Sequence, residues 1–121
     1  MLASTSATIS TSSSYKRAMD RTEQLRKFIE AQPDEPFPRY ALALELKGRG
    51  DVEGAARELG ELVRRAPDYL AAYLQLGLLL QPLGRNDEAR ATLQRGQEVA
   101  RKIGDTHTLS ELTSALETLA P

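Results

Sequence analysis

Gly48, Gly50 and Gly54 are spaced G-x-G-x-x-x-G. A dinucleotide cradle needs G-x-G-x-x-G where a strand turns into a helix, so that backbone N–H groups close on a pyrophosphate. Here the spacing is one residue too long and the glycines follow a helical pattern, so they read as a turn between helices. His107 is the single histidine and stands among threonines. Tuned acid–base work needs a burying pocket and partners; its neighbours supply neither, and it reads as a solvated surface group. One histidine also excludes a multi-histidine metal site. The adjacent carboxylates Asp34-Glu35 and Asp87-Glu88 fall near expected helix starts, where the helix dipole favours negative charge. Cysteine is absent, which removes disulfides, thiolate zinc sites and a thiol nucleophile together. The expectation is a non-enzyme with no cofactor and no metal.

Sixteen Lys+Arg stand against seventeen Asp+Glu, a formal charge of −1. No field of one sign is built in, which argues against a nucleic-acid binder or a polybasic membrane binder. Arg57, Glu58, Glu61, Arg64 and Arg65 mix signs at helical spacing, with Glu61 and Arg65 placed for an i,i+4 pair. Arg95, Arg101 and Lys102 suit the carbonyl end of a helix.

The elements that carry these residues are helical. Nine of the first fourteen residues are Ser or Thr and none is charged, so 1–14 reads as a disordered tail with too little apolar surface to offset its ordering entropy. It lacks the basic start and apolar run of a secretory signal. No window approaches the roughly 20 apolar residues of a membrane span; Leu74 to Leu83 is broken by Gln75, Gly77, Gln81 and Pro82. A soluble, cytoplasmic protein is expected. The folded part spans 15–121, without sustained strand alternation.

A shift of 34 residues exposes an internal repeat. Setting 36–69 over 70–103 pairs Leu42 with Leu76, Leu44 with Leu78, Leu46 with Leu80, Gly50 with Gly84, Ala55 with Ala89, Leu59 with Leu93 and Ala66 with Ala100. Pro33 and Pro67 carry the period upstream. In the second unit Asp68 is placed to cap a helix with Leu70, Tyr73, Leu76, Gly77 and Leu80 inward. Gly84 makes a turn, and Asn86 or Asp87 caps a helix with Ala89, Leu93, Gly96 and Ala100 inward. The first unit repeats the plan, with Asp51 as cap. Ala43 and Gly77 hold equivalent places where antiparallel helices approach closely.

These residues resemble the tetratricopeptide repeat family, whose 34-residue unit is a helix-turn-helix. The second unit carries Tyr73, Leu76, Gly77, Leu80, Gly84, Ala89 and Leu93 at the family's spacings. It departs at Gly96, where Ala is usual, and at Arg101, where Pro is usual. The first carries Leu42, Ala43, Leu46, Gly50, Ala55, Leu59 and Pro67, and departs with Arg39 at the usual Trp place and Leu62 at a later Ala. Residues 15–32, with Ala18, Leu25, Phe28 and Ile29 on or near one face, fall where the second helix of a preceding unit would be. Residues 105–120 form a last helix capped by Asp105 or Thr106. The resemblance, closest to small stand-alone bacterial members, implies an all-α short α-solenoid of antiparallel helix pairs, with two full repeats between N- and C-terminal capping helices.

It also implies a binding face. In this family the first helix of each unit lines a concave groove. Carried over by position, the groove shows Phe37, Tyr40, Ala41, Leu44 and Lys47 from unit one, and Ala71, Leu74, Gln75, Leu78 and Gln81 from unit two. Leu44, Leu74 and Leu78 remain apolar after Leu42, Leu46, Leu76 and Leu80 are assigned to packing. The family's clamp for acidic chaperone tails is missing, since its places hold Tyr40, Leu44 and Gln75. The expectation is a non-catalytic adaptor that receives a peptide or amphipathic helix of another protein. The alternative is self-association through the same stripe, as a homodimer or scaffold. A further alternative is that the last helix covers the stripe.

Overall fold

A computed structural model of the chain describes residues 20–119. The Ser/Thr-rich segment 1–14 and the first residues of the helix expected from Tyr15 lie outside the described residues. Within them are six helices and no strand: α1 (Arg21–Ala31), α2 (Pro36–Gly48), α3 (Val52–Arg65), α4 (Leu70–Leu80), α5 (Asn86–Ile103) and α6 (Thr106–Thr118). The fold is all-α and solenoid-like, each helix packing on its neighbours in sequence, with α6 also against α4.

The 34-residue period recurs atom by atom in the backbone. Gly50 (φ 88°) and Gly84 (φ 77°) take the left-handed conformation that L side chains resist. Behind them the N–H of Asp51 donates to the Leu46 carbonyl at 2.9 Å, and the N–H of Arg85 to the Leu80 carbonyl at 3.0 Å. These bonds close each pair's turn by satisfying carbonyls left over at the helix end. The joint between pairs repeats as well. Gln32 donates to Phe28 and Glu35 to Gln32, as Ala66 donates to Leu62 and Tyr69 to Ala66. Hence α1 ends as α3 does and stands in the place of a preceding unit's second helix.

Arg101 breaks the period, and its effect is visible. Pro67 follows α3 and bars its continuation. With no proline at the matching place, α5 runs on to Ile103 and stops at Gly104, φ 88°. Consequently α6 starts at Thr106, 36 positions after the start of α4 rather than 34.

Capping follows the sequence in two helices and departs from it in two. The Asp51 carboxylate accepts from the Gly54 N–H at 2.9 Å, and the Asp105 carboxylate from the Thr108 N–H at 2.9 Å. Those Thr108 bonds hold the Asp105 carboxyl below the usual carboxylate range. Asp68 does not cap α4, because the helix starts one residue later, with Tyr69 at the cap and no side-chain bond. Neither Asn86 nor Asp87 caps α5: both lie inside it, the cap position falls to Arg85, and the buried Asn86 side-chain oxygen has no hydrogen-bond partner among the described residues. The closing bond of the turn, Arg85 N–H to Leu80, places the helix start one residue upstream of the nearest cap-forming side chain.

One continuous apolar core runs from α2 to α6. Leu42, Leu59, Leu62, Tyr73, Leu80, Leu93 and Leu112 are its largest buried side chains, each contributing about 1.5–3 kcal/mol by leaving water. Small residues set its tightness. A Cβ on Gly77 would collide with the Leu93 side chain, and one on Gly96 would lie 2.8 Å from the Tyr73 Cβ and 3.0 Å from a Leu112 methyl. Gly96 replaces the usual alanine where α4, α5 and α6 converge. Only Leu25 and Ile29 of α1 pack on the core; Phe28, expected on or near that face, is 56% exposed. At about 100° per residue, its place lies about 60° round the helix from Leu25 and about 100° from Ile29, off the line of contact. Arg39, at the usual Trp place, turns its guanidinium onto Glu58 at 3.1 Å, beside a hollow of about 240 Å³ lined in part by Ile29 and Leu42.

Candidate binding groove

The first helices of the units, α2 and α4, carry the residues expected on the binding face. Phe37, in the first turn of α2, is 63% exposed. Tyr40 is half-buried against Tyr69, ring centroids 5.4 Å apart. Burial pushes its hydroxyl above the usual tyrosine range, partly offset by a hydrogen bond with Gln75. Lys47 donates from its ammonium to the Gln75 side-chain oxygen at 3.3 Å, tying α2 to α4. Tyr40, Lys47 and Gln75 therefore form one polar group bridging the two units. Leu44 is 38% and Leu78 41% exposed, while Leu74 is half-buried against the core. Gln81 sits half-buried in the turn after α4. Ala41 is half-buried and Ala71 exposed.

The last helix does not fill this face. It forms a second wall. Between α4 and α6 lies a groove of about 430 Å³, with Leu74 and Leu78 on one side and His107, Ser110, Glu111 and Ser114 on the other, Ala115 and Thr118 completing the lining. Of the residues expected on the binding face, Phe37, Tyr40, Leu44, Lys47, Gln75 and Gln81 do not line it. The His107 imidazole is solvated, with its Nε2 3.6 Å from a Glu111 carboxylate oxygen.

The α6 wall escaped the sequence reading because it keeps a different interval. At 36 residues, Leu109, Leu112 and Leu116 fall on Tyr73, Leu76 and Leu80, and Ser110, Glu111 and Ser114 fall on Leu74, Gln75 and Leu78. A search at 34 misses that register by two residues, about 200° round a helix. The longer shift was the signal that would have found it.

The groove's charge is one-sided. Residues Leu70–Leu80 include no charged side chain. In Thr106–Thr118 the charged residues are Glu111 and Glu117, with His107 the only basic group and no Lys or Arg. Among the described residues no three His, Asp or Glu side chains gather as a metal would require, and no helix is long and apolar enough to cross a membrane.

Comparison with known proteins places this geometry among relatives. The sequence profile of the tetratricopeptide repeat matches residues 46–107, about half of the chain. A crystal structure of a tetratricopeptide repeat domain protein from Salinibacter ruber is 43% identical, covering 68% of this chain and 92% of that one, with a TM-score of 0.65. A solution NMR structure of a tetratricopeptide repeat domain protein from the same organism is 42% identical over 70% of this chain and 86% of that one, TM-score 0.66. The crystal structure of MamA shares the fold at 18% identity, covering 79% of this chain and 63% of that one, TM-score 0.59. No curated protein gives a significant match.

Proposed function

Because the chain belongs to the tetratricopeptide repeat family, generally a protein–protein interaction module without catalytic activity, we propose that it is a non-catalytic cytoplasmic adaptor capturing a peptide or helix of a partner protein on the face built by α2, α4 and α6. The observation that carries this reading is the open groove between α4 and α6, floored by Leu74 and Leu78. An occupant's aliphatic side chain would remove this exposed apolar surface from water, at about 25 cal/mol per Å². Preformed helices hold the walls, so little ordering entropy is lost on the protein's side. Tyr40, Lys47, Gln75 and Gln81 supply polar contacts that set register, and Phe37 and Leu44 extend the apolar stripe along α2.

The test is a Leu44→Glu, Leu78→Glu double variant. Both side chains are exposed, so the helical circular-dichroism signal is expected to persist while capture of the partner is lost. Retained capture removes the groove from consideration. The exposure of Leu44 and Leu78 on one face also supports the second reading, a self-associating scaffold. Sedimentation over a range of concentrations separates the two, since a strict monomer is incompatible with a scaffold.

A further inference from the structure

We infer that the α4–α6 half of the groove selects a cationic, apolar segment: a short peptide whose aliphatic side chain enters between Leu74 and Leu78 and whose adjacent Lys or Arg meets Glu111. The inference rests on the groove reading above and names the chemistry of its occupant.

Complementarity of charge carries it. The floor contributed by α4 is uncharged along its whole length, so it attracts neither sign. The opposite wall bears the Glu111 carboxylate, nearly half exposed, beside the hydroxyls of Ser110, Ser114 and Thr118. The serine hydroxyls can donate to or accept from a peptide backbone, and that of Thr118, which donates to the Ala115 carbonyl at 2.8 Å, can accept, without preferring a charge. Nearby cations are engaged elsewhere or lie outside this half. Lys47 reaches Gln75 on the α2 side of α4, and Arg85 is held by Glu53 and Glu88. Among the described residues the basic side chain facing Glu111 is His107, at a distance of 3.6 Å. A carboxylate at the rim of an apolar floor favours a cation and disfavours an acidic occupant. An acidic tail would bring like charge to Glu111.

Three synthetic nonapeptides, fluorescently labelled, test this against the full chain by anisotropy: one alternating Leu and Lys, one alternating Leu and Glu, one alternating Ser and Lys. The Leu–Lys peptide is expected to bind at least tenfold more tightly than either of the others. Glu111→Gln should erase most of that advantage over the Leu–Glu peptide, and Glu111→Lys should reverse it. Glu98→Gln, the same loss of charge on α5, should leave it unchanged. Equal binding of the two leucine peptides, or a preference that survives Glu111→Gln, overturns the charge inference. If Leu78→Ser abolishes both in that case, the groove reading stands without it. Equal binding of the Ser–Lys peptide, or binding of no peptide, overturns the inference as well. Leucine-peptide binding that persists undiminished in Leu78→Ser removes the groove itself.

Discussion

Gly60 and Gly96 are both helix-interior glycines, and their surroundings give them opposite roles. No described residue lies within 4 Å of a Cβ built on Gly60, leaving out its chain neighbours and its own helix's backbone, so Gly60→Ala gains helix propensity without a clash. It should stabilise the protein by about 0.5–1 kcal/mol. Gly96→Ala gains the same propensity but drives a methyl against the Tyr73 Cβ, a backbone-anchored atom that cannot swing aside. Overpacking of this kind costs about 1–3 kcal/mol, so the net change should be a loss on the order of 1 kcal/mol. Urea midpoints of the two variants should move in opposite directions. Glu61 makes a second residue-scale prediction. Hydrogen bonds from Arg64 and Arg65 hold its carboxyl down at about 2, from an ordinary 4.5. Its contribution is therefore present above pH 4.5 and is lost as pH falls toward 2. The difference in urea midpoint between the native chain and Glu61→Gln should shrink across that window, and shrink in high salt, because the pair is exposed. The Glu61–Arg65 pair was legible from i,i+4 spacing; the role of Gly96 was not, because the side chains that crowd it come from two other helices.

At the scale of elements, the helix pairs were readable because their boundaries are marked by residues with few alternatives. Gly50 and Gly84 mark left-handed turns and Pro67 marks a stop. Cap positions were less readable, since several polar side chains compete over two or three residues and a turn's backbone bonds decide among them. Asp51 and Asp105 coincide with the start that the backbone sets, whereas Asp68 and Asn86 miss it by one. The length of α5 follows from Arg101, and this gives a prediction against family habit. Proline, usual at that place in the repeat, would here sit inside a continuous helix. Arg101→Pro should remove the bond to Gln97, clash with its carbonyl and cost about 3 kcal/mol, read as a lowered urea midpoint. An improvement would mean that the last turn of α5 contributes nothing to the fold.

For the whole molecule, the continuity of the core predicts that the units melt together. Leu112 is fully buried and touches the Gly96 joint from α6. Leu112→Ala should cost about 2–5 kcal/mol and lower the midpoint of a single transition seen equally by circular dichroism and by tyrosine fluorescence. Two separated transitions would show that α6 and its neighbours unfold apart from the first unit. The face of α2 and α4 was an expectation carried over from the family resemblance, and the period extends it from one helix to the next. The facing wall could not be reached that way, since the extra turn of α5 shifts α6 out of step.

The joint at Gly96 has a consequence for recognition. Helix α5 stands behind both α4 and α6, and the missing methyl there lets Tyr73 and Leu112 close on one point. Gly96 thus governs how closely the two walls approach from the rear, at a buried position away from the groove's lining. On the adaptor reading, a variant screen confined to the lining residues would pass over a glycine that helps set the spacing between them.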